Sequence, residues 1–213
     1  MIYAMSDIHG CLEAFEERLK EVDLSGKNRL VLLGDYIDYG TSSAQVLERI
    51  YELQKTHGAE KVIVLKGNHE DMLLQWIDQS HRTPMPAMEA DWPLIAEKKE
   101  LIRWIRNLPL YYQTGTQIYV HAGVDEEAED LWQVGTSDEV FLWKYPATTG
   151  SFYMTIIAGH VGTYALAGKK SFHDIYYDGA SHYYYQSTNQ YYFRKEQRSV
   201  KTKKIPRFTL TIF

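Results

Sequence analysis

Five apolar runs in this chain end in histidine, aspartate or asparagine beside glycine. They are Asp7-Ile8-His9-Gly10, Gly34-Asp35 with Asp38 and Gly40, Gly67-Asn68-His69-Glu70, His121-Ala122-Gly123 and Gly159-His160. Turns favour Asn, Asp and Gly for backbone reasons but have no local use for His and Glu as well. Taken singly, each stretch can be explained as turn and cap chemistry. The set cannot, because it recurs in one order and always behind an apolar run. Nitrogen and oxygen donors without sulfur suit borderline or hard divalent cations such as Mn, Fe, Zn or Ni. This many donors fits two ions better than one. Paired ions ~3.5–4 Å apart serve phosphate-ester hydrolysis, because they generate hydroxide and clamp both the attacking and the leaving oxygen.

Strands and helices must bring these side chains together. Residues 2–5, "RLVLLG" (29–34) and "KVIVLKG" (61–67) read as buried strands. Leu12, Phe15, Leu19 and Val22 recur at helical spacing after Gly10. Val46, Leu47, Ile50 and Leu53 predict a helix over roughly 42–55, and Met72, Leu73, Trp76 and Ile77 mark another after the third strand. Such alternation is the signature of βαβ units and a parallel sheet with right-handed crossovers. Ligands of open α/β sheets bind outside the carboxyl ends of the strands, which is where every cluster falls. "HRTPMPAMEADWP" (81–93) reads as a loop, and Leu94 to Leu108 as a helix. Residues 117–123, 154–160 and 174–180 read as further strands, followed by antiparallel hairpins to the C-terminus. The expectation is one α/β domain over 1–213 with a helical insertion at about 71–110.

Composition narrows the function classes. A net charge of −5 argues against a general nucleic-acid binder and fits a site partly neutralised by cations. Cys11 is the only cysteine, which leaves no disulfide framework and no thiolate cage. No apolar run approaches the ~20 residues of a membrane span. The start "MIYAM" lacks the charge and apolar length of a signal peptide, so a cytoplasmic protein without membrane partners is expected. The basic segment 194–207 reads as the exposed face of a hairpin rather than a nucleic-acid surface. His57, His81 and His182 lack motif context and are expected at the surface.

The five blocks together resemble the calcineurin-like metallophosphoesterases over residues 7–160. The resemblance implies an α/β fold, a four-layer α/β/β/α sandwich with the helical insertion and C-terminal hairpins. It implies one divalent ion on Asp7, His9 and Asp35 and a second on Asp35, Asn68, His121 and His160, with Asp35 bridging. Manganese is the first expectation, with iron, zinc or nickel as alternatives. His69 is not a ligand in that pattern; it is the implied acid for the leaving alkoxide, oriented by Asp38, while a metal-bridging hydroxide attacks phosphorus in line. Glu70 is expected to start the next helix and buttress the turn.

Glu70, and Gly162 in place of a second histidine, are similar to the branch of serine/threonine phosphoprotein phosphatases and symmetrical diadenosine tetraphosphatases. The chain departs from that branch at its phosphate clamp. Tyr39 replaces one arginine, and no arginine lies between Arg106 and Arg194. Lys144 in "VFLWKYP", with Tyr39 and Asn68, is the expected contact to substrate phosphate. The leading expectation is a phosphatase acting on phosphorylated proteins or small phosphoesters. The alternative is a symmetrical diadenosine polyphosphate hydrolase, which needs further cationic or aromatic contacts for its distal nucleotide, from Trp143, Lys144 or the C-terminal tail. A catalytically weak metal-binding module is the second alternative.

Overall fold

The first three apolar runs form β1 (Ile2–Met5), β2 (Arg29–Leu32) and β3 (Val62–Val64) in a computed structural model that describes residues 1–79, 91–185 and 211–212. They pair in parallel, with Tyr3 opposite Leu30 and Leu30 opposite Val62. Their crossovers carry α1 (Leu12–Leu19) and α2 (Ser43–His57), and α3 (Asn68–Asp78) starts four residues after β3 ends. The insertion holds α4 (Trp92–Ala96) and α5 (Lys99–Arg106) rather than one continuous helix, because Lys98 leaves helical geometry at ψ 76°.

A second sheet follows. It contains β4 (Tyr111–Gln113) and β5 (Gln117–Val120), then α6 (Trp132–Gly135) and α7 (Asp138–Trp143), then β6 (Thr155–Ala158), α8 (Thr163–Leu166), β7 (Tyr176–Tyr177) and β8 (His182–Tyr184). Its order is β4-β5-β6-β8-β7, with the three central strands parallel and both edges antiparallel. The short β9 (Thr211–Ile212) closes the first sheet beside β1, giving β3-β2-β1-β9. The strand expected over 174–180 is cut to two residues. Asp178 accepts the backbone N–H groups of Ala180, Ser181 and His182, and so folds the chain back through Gly179. Most of the expected C-terminal hairpin region, together with the basic segment and His81, lies outside the described residues.

Side-chain alternation along the strands explains why they are apolar without interruption. Ala4, Val31, Leu33, Ile63 and Leu65 meet Tyr119 and Ile157 of the second sheet in one buried layer. Their neighbours Tyr3, Met5, Leu30, Leu32, Val62 and Val64 face the opposite way and pack with residues of α1 to α5. Ile118, Val120, Ile156 and Ala158 turn outward in the second sheet, against Trp132 and Phe141 of α6 and α7. Sheets buried on both faces need apolar residues at every position. The result is the α/β/β/α sandwich.

Candidate metal centre

The ladder between β1 and β2 continues past the strands into the loops. Asp7 N–H donates to the Gly34 carbonyl at 3.1 Å, His9 N–H to Asp35 at 3.0 Å and Gly10 N–H to Tyr36 at 2.8 Å. These loops turn sharply. Asp7, His9, Asp35, Asp38, Tyr39 and His160 all have φ between 45° and 72°, and among the described non-glycine residues Glu129 alone joins them at positive φ. Such conformations cost about 1–3 kcal/mol each and persist where the surroundings enforce them. Gly34 shows how tightly the loops close. Its φ is +104°, and a Cβ there would lie 2.6 Å from Gly67 Cα and 2.8 Å from His121 Nδ1.

Hydrogen bonds to carbonyls fix the imidazole tautomers. His9 Nδ1 donates to the Ile37 carbonyl at 2.8 Å, which turns Nε2 toward Asp35 Oδ2 at 3.7 Å and Asp7 Oδ1 at 3.8 Å. His121 Nδ1 donates to the Leu33 carbonyl at 2.9 Å, leaving Nε2 3.4 Å from Asp35 Oδ1 and 2.8 Å from Asn68 Oδ1. His160 Nδ1 lies 3.1 Å from the same Asn68 oxygen, and the His160 N–H donates to Asp7 Oδ2 at 3.1 Å, tying the two sheets together. Two groups result, His9–Asp35–His69 and Asp35–His121–His160, each with ligand atoms within 4.8 Å of one another and sharing Asp35. Each could hold a divalent ion, and Asp7 Oδ1, 3.8 Å from His9 Nε2, offers the first group a donor in place of His69.

The donor chemistry fits that role. Lone pairs of His121, Asn68 and Asp35 face one another, an arrangement that a cation resolves and that an outer hydrogen bond on each histidine supports. When the Asn68 NH₂ is turned inward instead, its two hydrogens have His121 Nε2 at 2.8 Å, His160 Nδ1 at 3.1 Å and the Asp35 carboxylate at 3.2 Å as acceptors. Burial pushes His121 down to about 4 against the pull of Asp7, and burial with His121 does the same for His160. Neutral imidazole is the form that binds metal. Burial likewise lowers His9. Burial pushes Asp7 up, but His121 and His9 outweigh it and hold its carboxylate below the ordinary value.

His69 sits differently. Its Nδ1 donates to Asp38 Oδ2 at 2.5 Å, and its backbone N–H to Asp35 Oδ1 at 3.1 Å. Its side chain is 12% exposed, whereas those of His9, Asp35 and His121 are at 3% or less. Burial opposes protonation of His69, but Asp35 and the Asp38 hydrogen bond outweigh it and raise the imidazole to about 9. Tyr39 stands edge-on to His9 and His69, with ring centroids 4.7 and 5.3 Å away.

Three features escaped the sequence reading. Trp92 Nε1–H donates to Asp38 Oδ1 at 2.8 Å, so the insertion braces the group that orients His69. Ser43 Oγ accepts the Asp38 N–H at 3.1 Å, and Asp91 accepts the N–H of Ser43. Nothing in "ADWP" marks Trp92, whose partner lies 54 residues earlier. His182, expected at the surface, is 1% exposed because Asp178, the Gly150 carbonyl and Glu126 surround its ring.

Lys144, expected at substrate phosphate, has its Nζ on the Glu126 carboxylate and, at 2.5 Å, on the Val124 carbonyl. Glu70 does more than cap α3. Its carboxylate accepts N–H groups from Gly67 at 2.9 Å, Asp35 at 2.9 Å and Tyr36 at 2.8 Å, joining two of the five loops. Burial raises the Cys11 thiol to about 11, which keeps it in the thiol form at neutral pH.

Residues 1–198 match the calcineurin-like phosphoesterase family. Among curated proteins, the chain is 30% identical over 143 residues to a symmetrical bis(5'-nucleosyl)-tetraphosphatase of Nitrosococcus oceani, covering 64% of this chain and 47% of that protein. It is 34% identical over 130 residues to the protein of the same name from Aromatoleum aromaticum, covering 58% and 44%. The aligned region thus spans about half the length of the curated relatives. The fold is also that of a cold-active protein tyrosine phosphatase, with a TM-score of 0.61 at 19% identity over 88% of this chain and 69% of the other.

Proposed function

The chain belongs to the calcineurin-like phosphoesterase family, and we propose that it is a metal-dependent hydrolase that cleaves bis(5'-nucleosyl) tetraphosphates symmetrically, giving two nucleoside diphosphates. The hydrolase half of this reading rests on the two ligand groups that share Asp35. The substrate half is supported by curated relatives at 30–34% identity that carry this name, and for that reason we prefer it to the phosphomonoesters expected first from sequence.

In this reading Asp7, His9 and Asp35 hold one divalent ion and Asp35, Asn68, His121 and His160 a second. The bound pair supplies Lewis acidity at the scissile phosphate and a nucleophile at neutral pH. The chain's own residues supply the rest. Asp35 is kept in place by Glu70, which grips its backbone N–H, and by the His69 N–H on its Oδ1. His69 donates a proton from Nε2 to the departing phosphate oxygen, while Asp38 keeps Nδ1 protonated and Trp92 fixes Asp38. Tyr39, edge-on to His69, lends a phenol to a phosphate oxygen. Lys144 can reach phosphate only after leaving Glu126.

The deciding experiment is product analysis with bis(5'-adenosyl) tetraphosphate and Mn²⁺-loaded protein. Two molecules of adenosine diphosphate per substrate are expected. Hydrolysis of p-nitrophenyl phosphate or a phosphopeptide with no cleavage of the dinucleotide would return the function to a phosphomonoesterase.

A further inference from the structure

A cavity of about 650 Å³ opens beside the metal centre, lined by Lys66, Asp71, Gln75, Asp138, Glu139 and Trp143 among others. Two elements connect it to the site. Asn68, Asp71 and Gln75 lie on one stripe of α3, at spacings of three and four residues. At ~1.5 Å of rise per residue, that stripe runs roughly 10 Å from the centre into the cavity. At the other wall, the Trp143 ring stands 6.3 Å from the His160 ring and is 39% exposed.

The lining has a consistent chemistry. Three carboxylates, from Asp71, Asp138 and Glu139, share the lining with one ammonium, from Lys66, and Asp71 already accepts from Gln75 at 2.7 Å. A phosphate is repelled from such a lining. A neutral heterocycle with N–H donors is welcome there, since carboxylates accept from exocyclic amines. Trp143 offers the flat surface on which a base stacks. Lys66 directly precedes Gly67 and Asn68 in the chain, and its Nζ lies 3.4 Å from the Arg106 carbonyl. The cavity is broadly open to solvent, and its volume is enough to admit a nucleoside.

We propose that this cavity is a nucleoside subsite, which takes an amine-bearing base of the leaving nucleotide on Trp143 and the carboxylates of Asp71, Asp138 and Glu139. The inference rests on the dinucleotide reading above. It identifies the feature that separates a dinucleotide from a bare phosphoester, in a chain that lacks the branch's phosphate-clamping arginines.

The test compares kcat/KM for bis(5'-adenosyl) tetraphosphate, bis(5'-uridyl) tetraphosphate and p-nitrophenyl phosphate in wild type, Trp143→Ala and Glu139→Gln, all Mn²⁺-loaded. Trp143→Ala should lower the ratio of adenosyl dinucleotide to p-nitrophenyl phosphate about tenfold or more, in line with loss of a stacked base. Glu139→Gln should lower the ratio of adenosyl to uridyl dinucleotide several-fold, because uracil has no exocyclic amine for the carboxylate to accept. Adenosine diphosphate should quench tryptophan fluorescence in wild type and lose most of that quench in Trp143→Phe. Dinucleotide cleavage with both ratios unchanged in the variants overturns the subsite and leaves the dinucleotide reading standing. Cleavage of p-nitrophenyl phosphate alone, with no nucleotide binding, overturns both.

Discussion

At the scale of single residues, the geometry of His69 dictates how turnover depends on pH. Asp38 holds Nδ1, so Nε2 is the atom left to meet a leaving oxygen. The acid form is the active one, so its contribution is full below the His69 pKa and disappears as pH rises through it. That pKa is about 9 from the chain's own charges, and cations beside Asp35 would lower it. An alkaline fall in kcat at or below about pH 9 is therefore expected in wild type. His69→Asn should remove that limb, lower kcat about 10²–10⁴-fold and keep its metal. The same limb in the variant would rule out His69 as the acid. Trp92→Phe keeps an aromatic ring but loses the indole donor to Asp38, and a kcat about tenfold lower at unchanged metal content is expected from steady-state rates and metal analysis. The proposed ligands were legible in sequence because each lies within three residues of a glycine at the end of an apolar run. Trp92 and Glu126 were not, because side-chain hydrogen bonds between distant segments leave no local pattern.

At the scale of elements, the centre depends on how α3 is attached to the loop after β2. Glu70 is the third residue of α3, yet it takes backbone donors from Asp35 and Tyr36 as well as Gly67. Glutamine can offer only one oxygen where the carboxylate offers two. Glu70→Gln should therefore cost about 1–3 kcal/mol through unmet buried N–H groups. At roughly 2–4 °C per kcal/mol for a chain of this size, calorimetry should find Tm lower by several degrees. Mn²⁺ should also be held less tightly, since Asp35 loses its anchor. Unchanged stability and metal content would make Glu70 an ordinary cap. Apolar periodicity carried β1, β2, β3, β5, β6 and α1 to α3 clearly, but not β4. It missed α6 and α7, which are short, and it overstated β7, where Asp178 collects backbone donors that a ladder would otherwise use.

At the scale of the molecule, two helical layers and two sheets exist to hold five loops at one rim, and several loop residues are strained. Among the described residues, no helix is long and apolar enough to cross a membrane. Metal that binds the folded chain alone must stabilise it, by about 2.7 kcal/mol per site at a hundredfold excess over Kd. Mn²⁺ should thus raise the Tm of EDTA-treated protein by several degrees, and Asp35→Asn, which removes the shared carboxylate, should abolish most of that rise. The most direct test of a dinuclear centre is a titration of metal-stripped protein with Mn²⁺, following hydrolysis against bound metal per chain. The account predicts that activity is absent at zero metal and reaches its plateau only as the second ion binds. Full activity with one ion per chain, or activity that survives EDTA, would contradict it.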